Sequence, residues 1–108
     1  VDTITISKME SDDLPLVYQI EQDSYDFPWS EKIIEDCFFN NYDCYIAKSS
    51  KVVGYVIAKI SNFDSHILNL TIDTNYRGYG IGSSFVDLIT SASPSLISPS
   101  QLNTREIF

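Results

Sequence analysis

At 108 residues and 12.2 kDa, the chain is long enough for one hydrophobic core and too short for two. Apolar residues make up 44% of it and aromatic residues 13%, which excludes a chain that is disordered by composition. Fifteen acidic residues against seven basic ones give a formal net charge of -8, which argues against nucleic acid and anionic membranes as direct partners.

The N-terminal part of the chain predicts one strand and two helices. Period-two alternation predicts a strand from Thr3 to Ser7. Ser11 is expected to cap a helix that ends near Asp23, with Pro15 in its first turn, where no intrahelical bond is lost. Ser30 is expected to cap the second helix. The apolar residues that these helices turn inward are Leu14, Val17, Ile20, Ile33, Ile34, Cys37 and Phe38.

The middle of the chain predicts three strands. Two are expected over Asp43–Lys48 and Val52–Ile60, joined by a serine turn. The second, VVGYVIAKI, is apolar on both faces, which is typical of a strand covered from both sides. After a polar connection, a third strand is expected over His66–Ile72. Its two faces alternate, with Ile67, Asn69 and Thr71 against Leu68, Leu70 and Ile72.

The chain changes character near its C-terminal end. A helix is expected from about Ile81 to Ser91, and a serine and proline tract without usable periodicity follows. We therefore predict a folded domain over residues 1–92 and an irregular tail over residues 93–108. The elements together predict an α/β fold with a mixed sheet, in the order β-α-α-β-β-β-α.

Targeting signals and metal motifs are absent from the sequence. No apolar run approaches the roughly 20 residues of a membrane span, and the N-terminus lacks the pattern of a signal peptide. Cys37 and Cys44 are too far apart for a CxxC motif and have no second pair or nearby histidine. We therefore expect a cytoplasmic protein without a metal, in which both thiols are reduced and mostly buried.

Three of the four glycines fall in one short segment, RGYGIG, from Arg77 to Gly82. It lies between the strand that ends at Ile72 and the helix that begins near Ile81. The first turn of a helix leaves its N–H donors unpaired, and glycines let an anion approach the backbone and tolerate positive φ. Because Arg77 adds a positive charge, the segment predicts a site for phosphate oxygens. A tight turn without a ligand is the alternative.

Two known phosphate-binding motifs do not fit this segment. A Walker loop needs a lysine before its Ser or Thr, whereas Gly82 is followed directly by Ser83. A Rossmann fingerprint needs GxGxxG, which is one residue longer than the GxGxG found here. The pattern that fits is Arg-x-x-Gly-x-Gly between a strand and a helix.

With this motif, the chain resembles the GNAT family of acetyl-coenzyme A dependent N-acetyltransferases, in which the same element cradles the pyrophosphate of coenzyme A. Within that family it looks like the bacterial RimI type, the ribosomal-protein-alanine acetyltransferases. The likeness spans roughly Thr3 to Thr90 and includes four further segments: Asp13-Leu14-Pro15, Gln19-Ile20-Glu21-Gln22, Phe27-Pro28-Trp29-Ser30-Glu31 and His66 through Asp73. It implies the N-terminal part of a GNAT fold without the usual C-terminal strands and helix.

The resemblance implies acetyl-coenzyme A as co-substrate and a set of contacts for it. Backbone hydrogen bonds to the pantetheine arm would fall on Leu70, Thr71 and Ile72. The pyrophosphate would lie on the N–H groups of Gly78, Tyr79, Gly80, Ile81, Gly82 and Ser83. Many relatives carry further basic residues in this loop, whereas here Arg77 is the only nearby cation, so weaker cofactor binding is expected.

The implied reaction is direct attack of a protein's N-terminal α-amine on the acetyl thioester. Such an amine has an ordinary pKa of about 7.7 to 8.0, so a modest general base suffices. A ribosomal protein is the expected substrate, because its basic character suits the net charge of -8. The corner Phe27-Pro28-Trp29 is expected to border the peptide cleft, with packing between the two helices as the alternative.

The chain departs from the RimI pattern after Thr90, so it is expected to be truncated or divergent there. The resemblance implies a further strand with a glutamate base and a helix with a tyrosine acid. Neither Glu106 nor any tyrosine stands in that context, and no catalytic residue is assigned. Glu21 and Asp26 are poor substitutes, and the single histidine, His66, is interpreted as structural.

Loss of the following strand would leave the strand that ends at Ile72 with an open edge, which favours self-association. Three functions remain open from the sequence. The chain is an N-terminal acetyltransferase, a coenzyme A binding module without catalysis, or an inactive remnant without a ligand.

Overall fold

A computed structural model of the chain describes residues 3–92 and 105–107. Within those residues the helices and strands are β1 (Thr5–Lys8), α1 (Leu14–Ser24), α2 (Glu31–Phe39), β2 (Asp43–Lys48), β3 (Val52–Ile60), β4 (Ser65–Ile72), α3 (Ile81–Ser91) and β5 (Arg105–Ile107). Two short 3-10 turns, Ser11–Asp13 and Thr74–Tyr76, precede α1 and the glycine segment.

The strands form one sheet in the order β1-β2-β3-β4-β5. Strands β1 to β4 pair antiparallel in succession, and β5 pairs with β4 in parallel. This arrangement confirms the predicted α/β fold and, over residues 3–92, the order β-α-α-β-β-β-α. No helix in the part of the chain that the structure describes is long and apolar enough to cross a membrane.

The edge of β4 is covered where the sequence predicts an open one. Arg105–Ile107 runs parallel to Asn69–Thr71, although the tail is predicted to be irregular. Residues 93–104 and 108 lie outside the described part of the chain. The N–H and C=O groups of a strand edge favour such pairing, and a strand of three residues is too short to show periodicity. The edge of β4 is therefore not open along Asn69–Thr71, and the reason given for self-association does not apply to these residues.

Helices cover both faces of the sheet and form two apolar clusters with it. The cluster under α1 and α2 includes Val17, Ile20, Ile34, Ile46, Tyr55 and Ile57. The cluster under α3 includes Val53, Val56, Ile67, Leu70, Ile72, Phe85 and Ile89. Strand β3 contributes to both and is buried over residues 52–58, which confirms the prediction of a strand covered from both sides.

A bulge in β4 changes which face its side chains occupy. Asn69 pairs with Ile57, but the next pair along the strands joins Ile67 to Ala58, so Leu68 is an extra residue. Ile67 consequently packs in the α3 cluster, while Asn69 reaches α1 on the opposite face. The predicted simple alternation is therefore wrong at Ile67, because a bulge depends on the partner strand rather than on local sequence.

Of the two predicted helix caps, the structure has the one at Ser30 and lacks the one at Ser11. Ser30 caps α2 as predicted, since its Oγ accepts a hydrogen bond of 3.2 Å from the N–H of Ile33. The predicted cap at Ser11 is wrong, because Ser11 lies in a 3-10 turn before α1. There the Asp13 carboxylate accepts from the N–H of Glu10 at 2.8 Å, which fixes the entry of the chain into α1.

Gly54 is required by the close approach of β3 to β4. A Cβ at this position would lie 2.8 Å from Ile72 Cδ1 and 3.2 Å from the carbonyl oxygen of Thr71. We expect Gly54→Ala to lower the free energy of unfolding by about 1 to 3 kcal/mol in urea denaturation. The control is the same change in an Ile72→Val background, where Cδ1 is missing and the cost should shrink. An equal cost in both backgrounds would contradict the proposed clash.

Candidate functional site

The glycine segment connects the end of β4 to the start of α3, as the sequence predicts. Gly78 has φ of +87° and Gly80 has φ of +83°, and this left-handed region strongly favours glycine. The carboxylate of Asp73 accepts from the N–H of Asn75 at 2.9 Å and stabilises the 3-10 turn before the segment. Backbone conformation therefore accounts for two of the clustered glycines.

The N-terminus of α3 presents backbone donors beside this loop. Gly80 is the N-cap and makes no side-chain cap, so the first-turn N–H groups of Ile81, Gly82 and Ser83 are left for another acceptor. Apart from the neighbouring backbone, a Cβ at Gly78 or Gly80 would meet no heavy atom within 4 Å in the part of the chain that the structure describes. Open space therefore lies in front of a helix N-terminus, which is a favourable site for an anion.

Arg77 is held by the protein itself. Its Nε donates a hydrogen bond of 2.9 Å to the carbonyl oxygen of Ile72, and its Nη2 lies 3.4 Å from Ser24 Oγ. The guanidinium thus links the end of β4 to the end of α1, a role that the sequence does not indicate. Its charge remains next to the glycine segment, but part of its donor set is already used within the chain.

The three β4 residues predicted to contact pantetheine are all buried. Their backbone pairs with β3 on one side, and β5 pairs with β4 as far as Thr71 on the other. Of the three, only Ile72 lies beyond the described pairing with β5. The same pairing brings Glu106 opposite Leu70, so a glutamate does lie on a strand beside β4.

A buried polar network lies between α1 and the sheet. The Glu21 side chain is fully buried and its carboxylate accepts hydrogen bonds from the Tyr55 hydroxyl, from Asn69 Nδ2 at 2.9 Å and from the Trp29 N–H at 2.6 Å. Thr71 Oγ1 donates to Asn69 Oδ1 at 2.8 Å and lies 2.8 Å from the Tyr25 hydroxyl. We refer to Glu21, Tyr25, Tyr55, Asn69 and Thr71 as the Glu21 network.

Within the Glu21 network, the surroundings of Tyr55 keep its hydroxyl protonated. Burial, and next the charge of Glu21, raises the pKa of Tyr55, so that its hydroxyl remains a donor at neutral pH. A buried carboxylate is tolerated here because the Tyr55 hydroxyl, the Asn69 amide and the Trp29 N–H donate to it. From the sequence, Glu21 is expected only to be a poor acid or base, and Tyr25, Tyr55 and Asn69 have no predicted role.

The aromatic corner between α1 and α2 divides into an inner and an outer part. Trp29 is half-buried and packs against the cluster under α1 and α2, whereas Phe27 is 90% exposed. Pro28 between them is half-buried. Packing therefore accounts for Trp29, while the exposed ring of Phe27 lies on the surface, two residues after Tyr25 in the chain.

The remaining candidate groups are the single histidine, the two cysteines and any side chains that could bind a metal. His66 Nε2 lies 3.0 Å from the carboxylate of Asp64, just before β4, and the structural role of His66 stays a prediction. Burial raises the pKa of the Cys44 thiol to about 12 and also raises that of half-buried Cys37, so neither is a reactive thiolate. Within the described residues, no group of three His, Cys, Asp or Glu side chains could hold a metal ion.

Comparison with known proteins supplies a family context for this geometry. Residues 13–95 match the acetyltransferase (GNAT) family. The chain is 30% identical over 84 residues to the [ribosomal protein bS18]-alanine N-acetyltransferase of Escherichia coli (strain K12). The aligned region covers 77% of this chain and 57% of the relative. The chain thus spans little more than half the length of the curated relatives that it matches.

Solved structures share the fold. The crystal structure of the ribosomal-protein-S18-alanine N-acetyltransferase from Escherichia coli matches with a TM-score of 0.72 and 28% identity, over 82% of this chain and 61% of that one. A structure of Arabidopsis thaliana NAA60 in complex with acetyl-CoA matches with a TM-score of 0.70 and 19% identity, over 82% and 68% of the two chains.

Proposed function

This chain belongs to the GNAT family of acetyltransferases, and we propose that it transfers an acetyl group from acetyl-CoA to the N-terminal amine of a protein. The observation that carries the proposal is the junction of β4, the glycine segment and α3. Two glycines with positive φ and an N-cap without a side chain leave the backbone donors of a helix N-terminus open to an anion.

Acetyl-CoA would be held by the backbone of this junction. The pyrophosphate would accept from N–H groups of the loop and of the first turn of α3, from Gly78 to Ser83. The pantetheine arm would follow the end of β4, where Ile72 lies beyond the described pairing with β5. Arg77, braced between Ile72 and Ser24, would add a fixed positive charge near the phosphates. A structural neighbour was solved with this ligand.

The transfer requires a general base, and the family resemblance implies a glutamate for it on the strand that follows α3. In the reaction the amine nitrogen bonds to the acetyl carbon while the C–S bond breaks. The nitrogen gives up one proton, which the base accepts, and the leaving thiolate takes up a proton.

A ribosomal protein that begins with alanine is the proposed acceptor. The relative with 30% identity carries that activity in its name, and the net charge of -8 favours a basic partner. A reaction on such a substrate would take place in the cytoplasm.

Two measurements test the proposal in sequence. Calorimetric titration with acetyl-CoA is expected to show saturable binding, and incubation with radiolabelled acetyl-CoA and a basic peptide that begins with alanine is expected to yield labelled peptide. Binding without transfer would instead indicate a coenzyme A binding module. Absence of both heat and a thermal shift would reject either function.

A further inference from the structure

The guanidinium of Arg77 is held between two neutral groups, one at the end of β4 and one at the end of α1. We propose that Ser24 is a positioning residue for acetyl-CoA: its hydroxyl orients the Arg77 guanidinium for the phosphates and leaves the positive charge uncompensated. This proposal rests on the proposed function and gives a residue of α1 a part in the recognition of the phosphates.

Both hydrogen bonds of the Arg77 side chain are to atoms without a formal charge. Its Nε donates to the carbonyl oxygen of Ile72 at 2.9 Å, and its Nη2 donates to Ser24 Oγ at 3.4 Å. Within residues 3–92 the guanidinium makes no ion pair with a carboxylate, and Nη1 makes no hydrogen bond. Because the side chain is half-buried, its charge is screened less than that of an exposed arginine.

Two carboxylates share a cleft with Ser24 but do not pair with the guanidinium. Asp23 and Asp73 line this cleft of about 170 Å³ together with Ser24. The Asp23 carboxylate accepts from Gln19 Nε2 at 2.9 Å, and the Asp73 carboxylate accepts from the N–H of Asn75 at 2.9 Å. Each acid thus has a partner on its own segment, and the positive charge stays available to an anion.

The end of α1 attracts the guanidinium without cancelling its charge. Ser24 is the last residue of α1, and the last turn of this helix has no basic residue of its own. The C-terminus of a helix carries a partial negative charge, roughly half an elementary charge, which favours a cation. A carboxylate in the same place would carry a full charge. A hydroxyl there orients the guanidinium and keeps it positive toward a ligand.

The position of the guanidinium suits the phosphates of the proposed ligand. Arg77 directly precedes Gly78, whose φ is +87°, and its side chain reaches back to Ile72. The pantetheine arm is proposed to follow the end of β4 at Ile72, and the pyrophosphate to lie on residues 78–83. The guanidinium would thus lie where these two parts of acetyl-CoA meet.

A purely structural brace between α1 and β4 would make the opposite demand on residue 24. Such a brace would gain from a carboxylate, because a hydrogen bond between two charged groups is stronger than one to a hydroxyl. A charge that is held for the phosphates would instead be lost to that carboxylate. Ser24→Ala and Ser24→Asp therefore rank in opposite order in the two cases. The readout is the dissociation constant of acetyl-CoA in calorimetric titration at about 0.1 M salt.

Ser24→Ala is expected to weaken acetyl-CoA binding about threefold, because a long side chain must then be ordered when the ligand binds. Ser24→Asp should weaken it at least about tenfold, the scale of a hydrogen bond to a charged group. Ser24→Thr, which keeps the hydroxyl, should bind like the wild type. Gln22→Glu adds the same charge at an exposed position of α1 and is the control, with a smaller expected loss than Ser24→Ala.

The same aspartate in an Arg77→Gln background shows whether it acts through Arg77. We expect Arg77→Gln alone to weaken binding at least about tenfold. Ser24→Asp should then add no more to that loss than Gln22→Glu does. A further loss of about tenfold would mean that the aspartate repels the phosphates directly, and would overturn the positioning role.

The outcomes separate this proposal from the proposed function. A wild-type protein that does not bind acetyl-CoA would reject the proposed function and the role of Ser24 with it. A wild type that binds acetyl-CoA, with Ser24→Asp as tight as Ser24→Ala or tighter, would overturn the role of Ser24 alone. If urea denaturation shows that Ser24→Asp does not fold, Ser24→Ala decides. Its loss should disappear in the Arg77→Gln background, and a loss that persists there would contradict the proposal.

Discussion

Gly80→Val is expected to weaken acetyl-CoA binding at least about 100-fold, equivalent to about 2.7 kcal/mol, while the protein stays folded. Two effects of the valine act on the same site. Its β-branched side chain strongly disfavours the φ of +83° that aims the first-turn N–H groups of α3. Its Cβ would also enter the open space where the phosphates are proposed to lie, since apart from the adjoining backbone no heavy atom of the described residues lies within 4 Å of it.

The control for backbone strain is Asn41→Val. Asn41 has φ of +63° and lies between α2 and β2, remote in sequence from the glycine segment. Each substitution should lower the free energy of unfolding by about 1 to 3 kcal/mol, which a domain with about 5 to 15 kcal/mol tolerates. Only Gly80→Val should lose binding in calorimetric titration. Wild-type affinity in Gly80→Val would remove the glycine segment from the proposed site.

The glycine segment was predictable because composition and position coincide there. Three glycines between a strand and a helix form a signal that needs no knowledge of tertiary contacts. The same holds for β3, whose apolar run is long enough to predict coverage from both sides. Backbone sites of this kind are encoded locally, since φ preferences and helix starts depend on neighbouring residues.

The Glu21 network was not predictable as a unit, although the sequence positions of two of its members indicate that they are buried. Glu21 continues the helical spacing of Leu14 and Val17, and Asn69 interrupts an apolar strand. A polar residue in an apolar row indicates a buried partner. It does not indicate which partner, because the bulge at Leu68 decides which face Asn69 occupies. The strand β5 could not be predicted for a related reason, because its formation depends on pairing with the edge of β4.

Glu21→Ala is expected to lower the free energy of unfolding by about 3 to 5 kcal/mol, the largest loss among the substitutions considered. The carboxylate is the shared acceptor of the Tyr55 hydroxyl, the Asn69 amide and the Trp29 N–H. Its removal leaves these donors in a buried site without their common acceptor, and each such group costs about 1 to 3 kcal/mol. Urea denaturation measures the loss. Gln22→Ala, which shortens a side chain of similar length at the next, exposed position of α1, is the matched control.

Glu21→Gln separates the role of the carboxylate from that of its volume. The amide fills the same space, but one of its ends is a donor, and it must face either the Trp29 N–H or the pair formed by Tyr55 and Asn69. We therefore expect a loss of about 1 to 3 kcal/mol, intermediate between wild type and Glu21→Ala. A loss below the intermediate range would mean that packing alone fixes α1 on the sheet. A loss as large as that of Glu21→Ala would assign nearly all of the stabilisation to the acceptor geometry of the carboxylate, because the amide retains the volume and one of the two oxygens.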